Sequence, residues 1–123
     1  MIATIAKRIT CAVLIGALAS SGDAAGRAAL QARVWPAVAF APATVRIEVL
    51  IETDGDNRAL RIVADSGEHL RSSTIQLDGA RAARFYSVVY RGMPAGHYEI
   101  QVELLDPRDT VRAIERHWID LVG

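Results

Sequence analysis

The fold class is decided by an eight-residue run in which apolar and mostly charged residues alternate: Val45-Arg46-Ile47-Glu48-Val49-Leu50-Ile51-Glu52. In an extended chain, successive side chains point to opposite faces, so a period of two places the β-branched residues of this run together on one face. The intervening residues, Leu50 among them, occupy the other face. The run therefore predicts a β-strand that is buried on one side.

The same period of two continues outward from this strand, and turn signals interrupt it about every 8–12 residues. This rhythm is typical of an all-β sandwich or barrel. It predicts a single seven-stranded antiparallel sandwich, with strands near residues 32–40, 45–52, 60–64, 70–77, 84–91, 98–104 and 111–122. The chain of 123 residues has room for one such domain.

Four strand positions follow from local signals. Pro36 interrupts the first segment, residues 32–40, which indicates an edge strand or a strand that switches sheets. The Asp-, Gly- and Asn-rich turn at residues 53–57 predicts a hairpin between the second and third strands. The polar segment 70–77 indicates an edge strand. Segment 84–91 is partly apolar on both faces, which favours a central position.

One segment carries a family resemblance: Met93-Pro94-Ala95-Gly96-His97-Tyr98-Glu99-Ile100. It resembles the corner before the sixth strand of fibronectin-III-like and bacterial immunoglobulin-like domains. The resemblance implies that Pro94, Gly96 and Tyr98 form a structural corner, with the Tyr98 hydroxyl bonded to upstream backbone. Met93 stands where that pattern usually has Leu, and similar turns occur in transthyretin-like sandwiches. The subtype of sandwich therefore stays open.

The first residues match a secretory signal peptide. Lys7 and Arg8 precede an uncharged apolar run at residues 9–19, which ends in small residues suited to a signal peptidase. We expect cleavage before Ser20, with sites at residues 24 or 25 as alternatives. An uncleaved N-terminal anchor is the other interpretation of the same run.

These signals divide the chain into a signal peptide at 1–19, a flexible linker at 20–33 and a β-sandwich at 34–123. The only cysteine, Cys11, belongs to the apolar run, so we expect a mature chain without thiols or disulfides. The 14 basic and 14 acidic residues balance, which disfavours nucleic acid as a partner. We expect no stable membrane span after cleavage.

We find no residue pattern that predicts a metal, cofactor or catalytic site. His69, His97 and His117 lack the spacing of paired metal ligands. The turn at residues 54–57 resembles the start of a calcium loop but lacks its later ligands. The remaining candidates are strand serines without a nucleophile elbow (Ser72, Ser73 and Ser87) and two carboxylates about 13 Å apart by strand rise (Glu99 and Glu103). We therefore expect no enzymatic activity and no cofactor.

A weak ligand-binding surface is indicated by Arg81, Arg84 and Arg91 together with Trp118. Arginine binds carboxylates and acidic sugars well, and an exposed aromatic ring can support a carbohydrate or a protein. The simpler interpretation is that the arginines pair with interleaved acidic residues across strands.

The function expected from these features is a non-enzymatic exported interaction module, periplasmic or secreted, that binds another envelope protein. The alternative is a periplasmic carrier of a small ligand: a sugar, an anion or a metal. A carrier should show a concave site with converging side chains, whereas an interaction module should show a flat apolar patch or an unprotected sheet edge. The sequence does not predict an oligomeric state.

Overall fold

The computed structural model describes residues 29–123, and about two thirds of these residues lie in β-strands. The strands are β1 (Leu30–Trp35), β2 (Val38–Phe40), β3 (Ala43–Ile51), β4 (Ala59–Asp65), β5 (Leu70–Gln76), β6 (Phe85–Met93), β7 (Gly96–Leu105) and β8 (Val111–Val122), with a 3₁₀ turn at Gly79–Arg81. No helix within this part of the chain is long and apolar enough to cross a membrane. The predicted signal peptide and linker residues 20–28 lie outside the described residues.

Two sheets pack face to face, which confirms the predicted β-sandwich. One sheet has three strands in the order β1-β3-β6, and the other has five in the order β2-β8-β7-β4-β5. All pairings are antiparallel except that of β2 with β8, which is parallel.

The first predicted strand switches between the sheets, as Pro36 indicated. β1 forms one edge of the three-stranded sheet, and β2 forms one edge of the five-stranded sheet. The described chain thus has eight strands, because this segment is split around Pro36. Residues 30–33, which we assigned to the linker, belong to β1, where Leu30 is fully buried.

The predicted hairpin between β3 and β4 is wrong. β3 lies in the three-stranded sheet and β4 in the five-stranded sheet, so residues 52–58 cross from one sheet to the other. Arg112, at the start of β8, holds this crossing: its guanidinium donates to Asn57 Oδ1 and to Asp54 Oδ2. The Asn57 amide in turn donates to the carbonyl of Glu52.

The predictions for the two remaining strands have opposite outcomes. β5 is an edge strand, as its polar sequence indicated. β6 is also an edge strand, so the predicted central position is wrong. Its Tyr90 is buried in the core, while Phe85 and Val89, on the other face, are exposed. The second apolar face of β6 therefore faces outward and is not covered by another strand of the described chain.

The core fills the space between the sheets with alternate residues of each strand. Fully buried members include Val45, Ile47 and Val49 of β3, Leu60 and Ile62 of β4, and Tyr98, Ile100, Val102 and Leu104 of β7. Burying one such aliphatic side chain contributes about 1.5–3 kcal/mol. Because successive side chains of a strand alternate between its faces, the packing of the buried residues also determines which side chains each sheet presents to the outside.

Candidate functional site

The outer face of the three-stranded sheet carries the main candidate site. We call it the β1-β3-β6 face, and the strand register arranges it in three rows: Gln31-Leu50-Phe85, Arg33-Glu48-Ser87 and Trp35-Arg46-Val89. Each of these residues alternates with an inward-facing one, so the packing of the core orients the whole face.

Large apolar side chains lie at both ends of the β1-β3-β6 face. Leu50 and Phe85 are 42% and 54% exposed in the first row, and Trp35 and Val89 are 43% and 37% exposed in the last. The middle row is polar. Exposed apolar groups that lie close together and alternate with polar ones mark surfaces where proteins or ligands bind.

Two depressions open on this face. The first, about 180 Å³, is lined by Gln31, Arg33, Glu48, Val49, Leu50 and Phe85. The second, about 520 Å³, is lined by Trp35, Pro36, Thr44, Arg46 and Glu48. Glu48 borders both, so the two depressions lie next to each other on the outer surface of the sheet.

The charged side chains of the β1-β3-β6 face form only a long, exposed ion pair. Arg46 Nη1 lies 4.0 Å from Glu48 Oε2, and the Arg46 side chain is 58% exposed. An exposed ion pair of this length contributes little stability, of the order of 0–1 kcal/mol. With Arg33 beside them, two guanidinium groups face one carboxylate, so the middle of the face is locally positive.

The sequence contains a signal for this face in the apolar residues at outward positions of β3 and β6. Phe85 and Val89 share one face of β6, and the apolar residues on both faces of that strand suggested a central position. Leu50 is likewise apolar within the outward set of β3. Apolar residues at outward positions of neighbouring strands indicate an exposed apolar patch as readily as a doubly buried strand.

The four residues of the weak ligand surface do not converge. Arg84 precedes β6 and Arg91 lies near its end, seven residues further, or about 23 Å by strand rise. Arg81 lies in the 3₁₀ turn, and Trp118 belongs to the other sheet. These residues therefore do not form one binding cluster in the structure.

Trp118 belongs instead to a small cluster on the outer face of the five-stranded sheet. Its ring stacks on the imidazole of His97, with centroids 4.7 Å apart and an angle of 12° between the planes. The Nδ1 of His97 is hydrogen-bonded to the carboxylate of Asp120. The Trp118 side chain remains 56% exposed.

Tyr98 lies at the start of β7, and its ring is fully buried. Its hydroxyl donates a 2.9 Å hydrogen bond to the carbonyl of Pro94, four residues upstream. Gly96 lies close under the ring: a Cβ at this position would lie 3.2 Å from Tyr98 Cε1 and 3.0 Å from Ser66 Cβ. These three residues thus tie the turn between β6 and β7 to the core.

The histidines are separated from one another. His69 ends the turn between β4 and β5, His97 contacts Asp120, and His117 Nε2 lies 3.3 Å from Glu115 Oε1. Within residues 29–123, no group of three or more His, Cys, Asp or Glu side chains is placed to hold a metal ion.

Two turn aspartates are stabilised in their charged form. The Asp56 backbone N–H donates to the Asp54 carboxylate and lowers the pKa of Asp54, and the Arg112 guanidinium adds to the effect. The Thr110 backbone N–H lowers the pKa of Asp106 in the same way, with a second N–H from Arg108. Both carboxylates stabilise turns by accepting backbone hydrogen bonds.

Comparison with known proteins gives a structural likeness but no sequence relative. No protein-family model matches the chain, and no curated protein matches it in sequence. A solved structure of the superoxide reductase (neelaredoxin) from Ignicoccus hospitalis matches with a TM-score of 0.55 over 76% of this chain and 80% of that chain. The sequences are 8% identical, so the likeness shows a shared fold alone.

This likeness overturns the prediction that the chain is not an enzyme. The neighbouring structure is an enzyme by its name, and it shares the fold of this chain over most of its length. A β-sandwich of this architecture therefore does not exclude catalysis. The reductase activity itself is a property of that protein.

Proposed function

We propose that this chain is an exported domain that binds another protein of the cell envelope through the β1-β3-β6 face. The observation that carries the proposal is the outward apolar surface of the edge strand β6: Phe85 is 54% exposed and lies in register with the 42% exposed Leu50. Aromatic and aliphatic side chains of this kind are the usual anchors of protein interfaces.

The charges on the face define the chemistry of the partner. Arg33 lies opposite Glu48 in the middle row, and Arg46 lies near Glu48 in the last row beside Trp35, so a complementary protein surface has carboxylates next to apolar side chains. Arginine forks bind carboxylates with two parallel hydrogen bonds, which fixes the orientation of the partner. The charged side chains would select the partner, and the apolar side chains would supply most of the binding energy.

The shape of the face favours a protein over a small ligand. Small-molecule sites enclose most of their ligand in a concave pocket. The two depressions here are open along the sheet and share Glu48 as a common border. A broad partner surface can cover both depressions at once, whereas a sugar or an anion would remain largely in solvent. The basic and apolar N-terminal pattern at residues 7–19 supports export.

Site-specific photo-cross-linking in cells that naturally express the chain tests this proposal. A photoreactive phenylalanine at position 85 should cross-link to one protein, and the adduct should disappear when Arg33 and Arg46 are both changed to Glu. The same probe at Phe40, which is 82% exposed on the other sheet, is the matched control. Adducts that form equally from position 40, or that survive the charge reversal, would refute the proposed site.

A further inference from the structure

Strand β8 leaves most of one edge without a strand partner among the described residues. β7 pairs with one edge of β8 from Val111 to Leu121. On the other edge, β2 pairs only with residues 120–122. An uncovered sheet edge presents backbone donors and acceptors that can pair with another strand.

The hydrogen bonds to the β2 segment show which backbone groups face this free edge. The Asp120 N–H donates to the carbonyl of Ala37, and the Val122 carbonyl accepts from the Ala41 N–H. In an antiparallel strand, the N–H and C=O of one residue point to the same edge, and successive residues alternate. The N–H and C=O groups of Ile114, Arg116 and Trp118 therefore point to the free edge.

The free edge is regular over a defined length. The register of β8 with β7 has its shift at Leu104/Leu105, opposite residues 111–113, and continues without a shift to Leu121. At the other end, β2 begins to pair at Asp120. The regular free stretch is thus residues 113–119, and its midpoint is Arg116.

We infer that a second copy of this chain pairs with this edge, β8 to β8 and antiparallel, about a two-fold axis at Arg116. In this register, the exposed Ile114 of one copy lies opposite the exposed Trp118 of the other. Glu115 lies opposite His117 in the same way, an acid facing a basic side chain. Each match occurs twice because a two-fold interface repeats every contact.

This charge pattern makes the edge selective for its own sequence. Glu115 and His117 lie on the inward face of β8, with side chains 26% and 34% exposed. Inward-pointing polar and charged side chains on an edge strand oppose pairing with an arbitrary strand. In each copy His117 Nε2 already lies 3.3 Å from Glu115 Oε1, and a second copy in the register centred on Arg116 extends this match by placing Glu115 of one copy opposite His117 of the other.

Arg116 is the one position where like charges meet, since it lies opposite itself on the axis. In each copy, however, Glu99 Oε2 lies 3.6 Å from Arg116 Nε. The two arginines are therefore flanked by two carboxylates, which offsets their repulsion. The resulting dimer would extend the five-stranded sheet across both copies and leave each β1-β3-β6 face free, so the dimer would be bivalent for a partner.

Sedimentation and cysteine cross-linking of the full chain test this inference. The chain should sediment as a dimer over a concentration series. Arg116→Pro should be monomeric, because proline removes an edge N–H that makes no bond to β7. In a Cys11→Ser background, Arg116→Cys should form a disulfide-linked dimer under mild oxidation, whereas Thr74→Cys, exposed on the opposite edge strand β5, should not.

Three results would overturn the inference: a wild-type chain that is monomeric throughout, an Arg116→Pro variant that folds and remains a dimer, and equal cross-linking from positions 74 and 116. Circular dichroism establishes that each variant keeps its strands. If Arg116→Pro fails to fold, the cysteine pair still decides between the two edges of the sheet.

Discussion

Tyr98 links the core of the sandwich to the turn before β7. Its ring is fully buried, and its hydroxyl donates to the carbonyl of Pro94. Gly96 leaves the space that the ring occupies, since a Cβ there would lie 3.2 Å from Tyr98 Cε1. The turn, the glycine and the aromatic ring therefore act together as one local structure.

Removing the Tyr98 hydroxyl should leave the Pro94 carbonyl without its donor. We expect Tyr98→Phe to lower the free energy of unfolding by about 1–3 kcal/mol, and Tyr98→Ala by about 3–5 kcal/mol because it also opens a cavity. Denaturant unfolding measures both changes. Tyr86→Phe is the control: the half-buried Tyr86 side chain makes no hydrogen bond within residues 29–123, so its loss should stay within about 0.5 kcal/mol. Equal, small effects at the two positions would contradict this role for Tyr98.

The charge of Asp106 should make stability depend on pH in the acid range. Its pKa in the folded chain is held below its ordinary value of 3.8, chiefly by the Thr110 backbone N–H. The stabilisation is therefore fully present above pH 3.8 and is lost as the pH falls through the folded pKa. The stability gap between the wild type and Asp106→Asn, followed by denaturant unfolding from neutral to acid pH, should narrow below that value. A constant gap over the whole range would show that the carboxylate charge contributes nothing.

At the scale of elements, the crossing between β3 and β4 depends on one buried amide. Asn57 is 1% exposed; its amide group donates to the Glu52 carbonyl and its Oδ1 accepts from Arg112. This amide joins the crossing to the start of β8. These hydrogen bonds explain why a segment rich in Asp, Gly and Asn, which is typical of a hairpin turn, connects strands of different sheets.

Asn57→Ala should remove both hydrogen bonds and expose the crossing to water. We expect a loss of about 1–3 kcal/mol in the free energy of unfolding, measured by denaturant unfolding. Thr53→Ala, an exposed position in the same segment, should change the stability by no more than about 0.5 kcal/mol. If the two variants are equally stable, the crossing does not depend on Asn57.

The outward position of β6 side chains predicts which substitutions this strand tolerates. Val89 is 37% exposed on the outer face, whereas Val102 of β7 is fully buried. Val89→Thr should therefore change the unfolding free energy by less than about 0.5 kcal/mol, while Val102→Thr, which buries a hydroxyl, should cost about 1–3 kcal/mol. Thermal or denaturant unfolding of the two variants compares the same chemical change in both environments. A large loss at Val89 would mean that the outer face of β6 is covered.

For the whole molecule, the sequence was sufficient to predict a sandwich but not the membership of its sheets. Alternation in β3 and β7, the sheet-switching first segment and the edge strand β5 are all local patterns, and the structure confirms them. The crossing at residues 52–58 is held by Arg112, which lies 58 residues from Asp54 along the chain. A local sequence pattern carries no information about so distant a contact. The segment at residues 52–58 could therefore not be distinguished from a hairpin turn.

The candidate face was harder to predict for the same reason. Leu50 and Phe85 are far apart in sequence and become neighbours only through the register of β3 with β6. Each is an isolated apolar residue at an outward position, which is common on protein surfaces. Only their placement in one row, beside Arg33 and Glu48, makes them a surface that can bind a protein.

The most direct test of the account is the affinity of this chain for the protein cross-linked at position 85, measured by titration calorimetry with purified components. We predict that Phe85→Ser weakens binding at least about tenfold, since aromatic anchors of protein interfaces contribute about 2 kcal/mol or more. Phe40→Ser, on the other sheet and more exposed at 82%, should bind like the wild type. Unchanged affinity for Phe85→Ser, or an equal loss for Phe40→Ser, would contradict binding through the β1-β3-β6 face.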